Sequence, residues 1–538
     1  MAKRKRVGIF GWGLVAPRSP NIEAFERNLE EADCWLEPFE GFGPSNFLVG
    51  EPMFDFQDYR PWIDERFGPR KFPQLDSKMG MNVKYALGAF IQALQSNPGL
   101  EQLLQDLGTA AHVCVGTGLG DFPVQYEVSL QYAKAQRKWN RFWCQKKYNA
   151  ELAAYNAGTG VFKQKLREEL QIPTDPSTVD IADENYEDLV DAWFSFWVDY
   201  SDGLSAYLEK VKEIESENID RDVDMSKGNI IRRKIMERKK LQRAYQCPDE
   251  PWASVDPKLL WNIPNVPAAE ISMLGKIMGP VIAPIGACAG FGTALKCADN
   301  AIQLGEAKVA VVGVTDPPPH PLSVGALYGA RVISNDGQVS KPFTGLRGTH
   351  VAGGSCIWII GDAEYLTGLG MHPVGLEILS VALSADADHI ITPSEAGPKL
   401  AIVEVLERAD IDASEVATWD MHATATPGDW TELNNARDIF GANTRYTARK
   451  GTFGHGMSVC GGWELTAQHL GVAQNRLYPV NLTQDEINPI IKELDCDLVD
   501  ENIEANFNGN VAGKISMGVG GINSCMICRK WEDFPDKS

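Results

Sequence analysis

The sequence of 538 residues lacks a long apolar run. No window reaches the roughly 18 uninterrupted apolar residues that a membrane-spanning helix needs. The first residues, Met1–Arg6, are basic, but the apolar stretch Val7–Phe10 that follows them is too short for the core of a signal peptide. We therefore expect the protein to have no membrane-spanning segment and to be located in the cytoplasm.

Positive charge is also scarce. The chain has 51 Lys and Arg residues against 72 Asp and Glu residues, which gives a formal net charge of −21. Affinity for a phosphate backbone depends on an excess of Lys and Arg, so this balance excludes general nucleic-acid binding. Any acidic partner would need a local basic patch.

Paired cysteine motifs with zinc-ligand spacing are absent. The 11 cysteines are scattered, and the single C-x-x-C, at Cys525 and Cys528, lies in an apolar run that is typical of a strand. A structural zinc site would need a second pair, so we interpret both as structural cysteines and predict no metal site. Scattered cysteines without a signal sequence also indicate reduced thiols rather than a disulfide framework.

What the sequence does contain is an alternation of strand-like and helix-like apolar patterns, which predicts an α/β fold. The predicted strands are Val7–Phe10, His112–Gly118 with its turn, Lys308–Val314, Val374–Leu383, Ala417–His422 and a pair near Lys514–Cys528. The predicted helices are Ile22–Glu31, Asn82–Gln95, Thr293–Leu304, Gly397–Ala409, one from Thr431 and one after Gly461.

The segment from about 125 to 258 has a different character. It has nine acidic and no basic residues from Asp175 to Asp202, then eight basic residues and one acidic residue from Lys227 to Arg243. We interpret it as a mainly helical insertion. Two α/β halves are expected around it, residues 1–365, which carry the insertion, and residues 366–538.

Each part of this insertion allows a more specific prediction. Aromatic and apolar residues at helical spacing predict an amphipathic helix that packs against the body of the protein or a second subunit: Leu189, Trp193, Phe196, Trp197 and Tyr200. The basic part is either a solvated helix face or a surface that receives an acidic carrier protein.

Cys288 is the candidate nucleophile. It lies in Pro284–Gly292, a stretch rich in small residues, directly before the predicted helix Thr293–Leu304. Unsatisfied amides and the positive end of the dipole at a helix start favour a thiolate and anion binding. A small buried hydrophobic residue is an alternative explanation for a cysteine among glycines, and this pattern alone leaves both open.

Two of the eight histidines have unusual surroundings. His422 and His455 both follow strand-like runs at the entrance of loops, where functional sites are often built. A loop histidine can equally be a hydrogen-bonded structural residue. The combination of both histidines with Cys288 and Lys450 favours a catalytic site.

These motifs together resemble the elongating β-ketoacyl-acyl carrier protein synthases of the thiolase superfamily. The residues that carry the resemblance are Gly286–Ala289, His422–Pro427, and Lys450, His455 and Glu464 at the family's spacing. It covers nearly the whole chain except about 125–258. It implies a thiolase-like fold, in which two similar α/β halves form a layered α-β-α-β-α architecture.

The resemblance also implies a chemistry. Cys288 would accept an acyl group from a phosphopantetheine thioester, and the backbone amides of Cys288 and Val519 would form the oxyanion hole. His422 and His455, as neutral donors, would stabilise the negative charge that develops when a malonyl thioester loses carbon dioxide. The implied activity is β-ketoacyl synthase, an acyltransferase of fatty-acid, specialised lipid or polyketide synthesis.

Further roles follow from the same resemblance. Lys450 and Glu464 would form an internal ion pair that orients His455. Four residues would bind the substrate, the first two through the phosphopantetheine arm and the last two through the acyl pocket: Thr424, Thr426, Phe291 and Val519. No bound cofactor is implied, because the phosphopantetheine arm arrives on the acyl carrier protein.

The implied partners are the acyl carrier protein and a second copy of the chain in a homodimer. Three alternatives stay open. The chain could be a Cys/His acyltransferase or thioesterase that does not condense, a non-catalytic partner subunit of another synthase, or an assembly protein built around its insertion.

Overall fold

The computed structural model describes residues 4–216, 223–441, 443–502 and 504–532. The chain divides into two compact units, which are described separately. One consists of Met1–Val124 and Leu260–Ser538, and the other of Gln125–Leu259.

The helices and strands are numbered in chain order. The helices are α1 Ile22–Leu29, α2 Arg60–Phe67, α3 Lys71–Lys78, α4 Met81–Leu94, α5 Leu100–Asp106, α6 Phe122–Trp143, α7 Ala150–Ala157, α8 Gly160–Leu170, α9 Tyr186–Val198, α10 Asp202–Glu215, α11 Val223–Tyr245, α12 Val266–Gly275, α13 Gly290–Leu304, α14 Pro321–Gly329, α15 Ala363–Gly368, α16 Ala396–Ala409, α17 Gly428–Phe440, α18 Lys450–Phe453, α19 Cys460–Ala473 and α20 Pro489–Lys492. The strands are β1 Val7–Val15, β2 Glu37–Pro38, β3 Leu48–Val49, β4 Ala111–Gly116, β5 Val281–Ile282, β6 Val309–Asp316, β7 Gly354–Asp362, β8 Glu377–Ala385, β9 Val416–Asp420, β10 Arg445–Thr447, β11 Arg476–Leu477, β12 Asp497–Leu498, β13 Glu504–Ala505, β14 Val511–Gly518 and β15 Ile522–Arg529.

The first unit is built on an 11-stranded sheet that consists of two segments. The first sheet segment has the order β5-β4-β6-β7-β1 and the second has the order β12-β10-β9-β14-β15-β8. They are joined where β1 meets β8, through the residue pair Val7 and Ile378. Starting from that junction, each segment begins with two antiparallel pairings, which are followed by two parallel pairings in the first segment and three in the second. The halves 1–365 and 366–538 stay a prediction.

Helices cover both faces of the segments. Helices α4 and α12 pack on the first segment, while α13 contacts β4 and β6 of the first segment as well as β8 and β15 of the second. Helix α19 lies beside α13, and α16 packs on β8 and β15. The layers therefore follow the order α-β-α-β-α, which is the predicted architecture.

Burial on both faces explains the composition of the central strands. All eight residues of β6 are buried. Val311 belongs to the core on the α4 side and Val312 to the core on the α13 side. A strand that is covered on both faces needs a nearly continuous run of β-branched and small residues, which is why this strand was predictable.

Strand β1 is longer than predicted because two glycines extend it. The prediction ended at Phe10, but the strand continues to Val15. A Cβ atom on Gly11 would lie 2.3 Å from the Ala93 carbonyl oxygen, and one on Gly13 would lie 2.0 Å from the Ala89 carbonyl oxygen. These glycines let the backbone of α4 approach the strand closely, so they serve packing and do not end the strand.

The second unit is helical, with an aromatic core of its own. Trp193 and Trp197 of the acidic helix α9 are buried in that core together with Trp139, Trp143 and Tyr207. The prediction that this helix face packs against the body or a second subunit was wrong for these two tryptophans, because helices of the same unit bury them.

Part of the basic run on α11 is neutralised inside the second unit. Lys234 lies 3.6 Å from Glu215, and Arg238 lies 2.8 Å from Glu250. Lys240 pairs with Glu237 on its own helix. The side chain of Lys227 lies outside the described residues. These contacts favour the solvated-face interpretation over a dedicated docking surface.

Candidate active site

Cys288 lies in a single 3₁₀ turn, Ala287–Ala289, directly before α13. Ala287 adopts a left-handed conformation with a φ of 45°, which costs free energy for a residue with a side chain. The Cys288 side chain is 7% exposed, within an apolar cluster that also contains Phe39, Val351 and Met457. The turn thus holds a strained, buried thiol.

The end of β14 reaches this thiol from the second sheet segment. The backbone amides of Val519 and of Cys288 itself act to lower the pKa of the Cys288 thiol, so both lie near its sulfur. Gly518 lies against the same turn, since a Cβ atom there would be 3.2 Å from the Cys288 nitrogen. The Val519 side chain is 47% exposed. The two amides named for the oxyanion hole therefore converge on the thiol, and their role stays a prediction.

The sequence-based expectation of a favoured thiolate was wrong. Burial raises the pKa of the Cys288 thiol to about 11, although the Val519 amide and the charge of Lys450 act in the opposite direction. Helix α13 begins only at Gly290, so Cys288 lies before the helix and is not part of its first turn. Loss of water outweighs the nearby dipoles, and the resting group is a neutral thiol.

His422 and His455 face each other. Their ring centroids are 5.3 Å apart and their planes are nearly perpendicular. Burial, followed by the charge of Lys450, lowers the pKa of His422 well below its ordinary value and that of His455 to about 3. Both rings are therefore neutral near pH 7, and each has one N–H to donate.

The backbone of each histidine is fixed by buried partners. The two oxygens of Glu432 accept hydrogen bonds from the His422 and Ala423 amides at 2.5 and 2.8 Å. The amide of His455 donates to the His350 carbonyl at 2.6 Å, and its carbonyl accepts from Ala352. Hydrogen bonds therefore hold the backbone of both histidines in place.

The histidine elements pack directly against the cysteine turn. Val351 pairs with His455 in an isolated β-bridge and belongs to the Cys288 cluster. A Cβ atom on Gly290, at the start of α13, would lie 2.8 Å from the Ser458 Cβ, and Ser458 follows His455 closely. The structure thus brings Cys288, His422 and His455 into one buried region.

Lys450 and Glu464 form the predicted pair at 2.9 Å, and both side chains are 1% exposed. The Lys450 ammonium also donates to the His422 carbonyl. Burial would raise the pKa of Glu464, but the charges of Lys450 and Lys514 outweigh it and hold the carboxyl below its ordinary value. The pair is ionised and touches the backbone of the histidine loop.

Three charged residues around this pair were missed in the sequence. Lys514 lies 2.6 Å from the second oxygen of Glu464 and 2.8 Å from Asp420. Arg449 lies 4.0 Å from the other Asp420 oxygen. All three are buried. The only signal was an isolated charge in or just after an apolar segment, which does not reveal its partner.

Two further buried carboxylates organise the loops. Asp316 accepts hydrogen bonds from the amides of Gly118, Leu119 and Ser458. Asp429 accepts from the Thr424 amide at 2.9 Å. These contacts tie the loops of both sheet segments to the region around Cys288.

The predicted substrate residues fall into two groups. Thr424 and Thr426 are half-buried, and their hydroxyl oxygens are 3.0 Å apart on one side of the loop. Phe291 is buried and packs edge-to-face on Trp358, with ring centroids 4.8 Å apart. Phe291 therefore fills space immediately behind the turn that carries Cys288. The substrate roles of these residues stay predictions.

Comparisons with known proteins place this fold. The structure resembles a solved β-ketoacyl synthase from Burkholderia phymatum STM815, with a TM-score of 0.66 and 18% identity, covering 98% of this chain and 100% of that one. It also resembles the ishigamide ketosynthase/chain length factor, with a TM-score of 0.65, 18% identity and the same coverage. These likenesses confirm the predicted thiolase-like fold.

Sequence comparison gives the family. The β-ketoacyl synthase N-terminal domain matches residues 233–359, and the C-terminal domain matches residues 376–483. The 3-oxoacyl-[acyl-carrier-protein] synthase 2 of Rhizobium meliloti (strain 1021) is 28% identical over 50% of this chain and 65% of that protein. The chloroplastic 3-oxoacyl-[acyl-carrier-protein] synthase I of Arabidopsis thaliana is 29% identical over 49% of this chain and 57% of that protein. The matched parts of the chain resemble the β-ketoacyl synthases of the thiolase superfamily.

Less than two thirds of the length of these curated relatives is matched. A third relative, nodulation protein E of Rhizobium meliloti, is 27% identical over 66% of its length. Among the described residues, none of the helices combines the length and apolar character required to cross a membrane.

Proposed function

We propose that the protein is an elongating β-ketoacyl synthase, which joins an acyl group to a malonyl-type thioester held on an acyl carrier protein. The observation that carries this proposal is the pair of neutral, mutually facing histidines beside a buried thiol. Neutral imidazoles are donors suited to a developing oxyanion.

The first step would be acyl transfer to Cys288. The thiol adds to the acyl thioester, the C–S bond to the carrier breaks, and the carrier thiol leaves with the proton. The amides of Cys288 and Val519 support this step, because both lie near the sulfur and could donate to the oxygen of a carbonyl group bonded to it. A thiol with a pKa near 11 is protonated near neutral pH. It would react only with a substrate whose carbonyl oxygen accepts hydrogen bonds from these amides.

The second step would be decarboxylation and condensation. A malonyl thioester loses carbon dioxide, and the electrons of the broken C–C bond form an enolate whose oxygen accepts hydrogen bonds from His422 and His455. The enolate carbon attacks the acyl carbonyl on Cys288, and the Cys288 sulfur leaves. Lys450 supports this step by placing a positive charge next to the His422 backbone.

We infer the acyl carrier protein as a partner by analogy with a similar solved structure. One solved structure similar to this chain, with a TM-score of 0.62, is described as a type II polyketide acyl-carrier protein in complex with its ketosynthase bound to the hexaketide. Half-buried Thr424 and Thr426 offer two adjacent hydroxyls for the amides of a phosphopantetheine arm. We include the arm as part of the substrate and infer no resident cofactor.

The proposal is tested by incubating the protein with acyl-carrier and malonyl-carrier proteins. Intact-mass measurement of the protein and detection of released carbon dioxide are read together. We expect an acyl adduct on Cys288, carbon dioxide release and a β-ketoacyl product. An adduct without carbon dioxide would instead identify a Cys/His acyltransferase or thioesterase, and the absence of both would favour a non-catalytic partner subunit.

We also propose a homodimer formed through the β5 edge of the sheet. This edge strand and its neighbours expose large apolar side chains, with Met278 75% and Ile285 62% exposed. Exposed apolar sheet edges favour pairing with another chain. Light scattering on the wild type and on Ile285→Glu tests this: we expect a dimer and a monomer, respectively, and a monomeric wild type would contradict the dimer.

A further inference from the structure

The buried ion pair of the site extends into a closed ring of contacts that returns to His422. Lys514, on β14, lies directly opposite Asp420 of β9 in the parallel pairing, and its ammonium is 2.8 Å from the Asp420 carboxylate. Asp420 precedes His422 by two positions. This arm of the ring holds the base of the histidine loop.

The second arm passes through Glu464. One oxygen of this carboxylate contacts Lys450 at 2.9 Å and the other contacts Lys514 at 2.6 Å. The Lys450 ammonium then donates to the His422 carbonyl. The ring therefore runs from Asp420 to Lys514, Glu464 and Lys450 and closes on His422.

Burying this ring of charged side chains costs free energy, which only well-formed contacts between them can offset. Lys514, Asp420, Glu464 and Lys450 are each at most 2% exposed, and each buried ion loses several kcal/mol of hydration. Lys450 and Glu464 alone would already be a neutral pair. The additional Lys514 and Asp420 pair adds no net charge, so its effect is to fix the direction of Glu464.

We propose that Lys514 is a positioning residue that, through Asp420 and Glu464, fixes Lys450 and the His422 loop. Without it, the Glu464 carboxylate is free to rotate and bind Lys450 with both oxygens, which would draw the ammonium away from the His422 carbonyl. The consequence for catalysis rests on the proposed function, because His422 acts in the decarboxylation step there. Pairing with β15 continues to Gly518, directly before Val519, so we expect acylation of Cys288 to be spared.

The test compares Lys514→Met, Lys514→Arg and the double variant Lys514→Met/Asp420→Asn. Methionine preserves length without charge, arginine can still contact both carboxylates, and the double variant removes the opposed charges together in case Asp420 alone prevents folding. Glu377→Gln is the matched control, since Glu377 is a buried carboxylate between Arg6 and Arg529 that makes no contact with the ring.

Two measurements are made on each full-length variant. The first is the rate of malonyl-carrier decarboxylation relative to that of Cys288 acylation, and the second is hydrogen exchange of the backbone amides in residues 421–427. For Lys514→Met and the double variant we expect the rate ratio to fall about tenfold to 100-fold and exchange in this loop to accelerate. Lys514→Arg should keep the rate ratio and the loop exchange near their wild-type values, and Glu377→Gln should change neither quantity.

The two proposals fail in different ways. If loop exchange and the rate ratio are unchanged in both Lys514→Met and the double variant, the positioning role is contradicted. If Lys514→Met accelerates loop exchange but the wild type releases no carbon dioxide, the positioning role is supported and the proposed condensation is wrong. Equal losses of both rates without a change in loop exchange would indicate general destabilisation and would also overturn the positioning role.

Discussion

The two sheet segments share one pairing pattern but have different chemistry at the site. The first segment leads to Cys288, which lies among apolar side chains and keeps a neutral thiol. The second leads to His422, His455 and a ring of buried charges. In the proposed function, a repeated scaffold would thus carry the nucleophile in an apolar cluster on one side and the histidines that stabilise the enolate beside fixed charges on the other.

The difference suggests a division of labour. A thiol that is desolvated and uncharged is protected from general reactivity and needs a bound carbonyl to react. Neutral histidines held by fixed ions can stabilise an enolate without rearrangement. We therefore expect acyl transfer to depend mainly on Cys288 and the two amides near it, and decarboxylation mainly on the histidines of the second segment.

The largest effect is expected from replacing Cys288, the proposed nucleophile of the first segment. For Cys288→Ala we expect condensation to fall by roughly 10³-fold or more, because the acyl-enzyme cannot form. The rate of β-ketoacyl product formation, measured together with the release of carbon dioxide, tests this expectation. Cys297→Ser, on the same helix α13, is the matched control and should stay near wild type; retained condensation in Cys288→Ala would contradict the assignment.

Removing a histidine should separate the two steps. His455→Ala and His422→Ala are each expected to lower malonyl decarboxylation about 10²-fold to 10³-fold, because one donor to the enolate oxygen is lost. Acylation of Cys288, followed by intact mass, should change far less. His389→Ala, at an exposed histidine, serves as the control. A parallel loss of both steps would argue against the division of labour.

The contact between the segments can be altered at Gly518. A methyl group there would approach the Gly286 carbonyl oxygen to 2.9 Å and the Cys288 nitrogen to 3.2 Å. For Gly518→Ala we expect acylation of Cys288 to slow about tenfold to 100-fold, since misplacing the donors by a fraction of an ångström weakens transition-state binding. Gly368→Ala, which meets no neighbouring atom, is the control. Unchanged acylation would show that this contact is not needed.

The last prediction concerns the pH dependence of the Cys288 thiol in the unaltered protein. Burial raises the pKa of Cys288 to about 11, so the thiolate fraction should grow about tenfold per pH unit below that value. Alkylation of Cys288 by iodoacetamide should accelerate accordingly between about pH 7 and 10. A rate that levels off by about pH 8 would mean that the thiol is instead activated in the free enzyme.

The sequence was informative where one residue type implies one environment. The apolar run of β6 and the small residues around Cys288 predicted a buried strand and a tight turn, and both are present. The resemblance to the β-ketoacyl synthases implied an ion pair between Lys450 and Glu464, and this contact is observed.

It failed where the meaning of a residue depends on its partner across the fold. Lys514 and Asp420 are neighbours only because of the register between β14 and β9, which no local pattern specifies. The pKa of Cys288 was misjudged for a similar reason, because the apolar cluster that desolvates the thiol comes from distant segments. Gly11 and Gly13 suggested a break in β1, whereas they accommodate the backbone of α4.

A single-turnover experiment tests the central claim most directly. The wild-type protein is loaded with an acyl group on Cys288, mixed with malonyl-carrier protein and quenched at intervals, and acyl-Cys288 and carbon dioxide are quantified in the same samples. We predict that one carbon dioxide is released for each acyl group that leaves Cys288, at the same rate. Release of carbon dioxide while acyl-Cys288 persists, or loss of acyl-Cys288 without carbon dioxide, would contradict a single condensing site built from both segments.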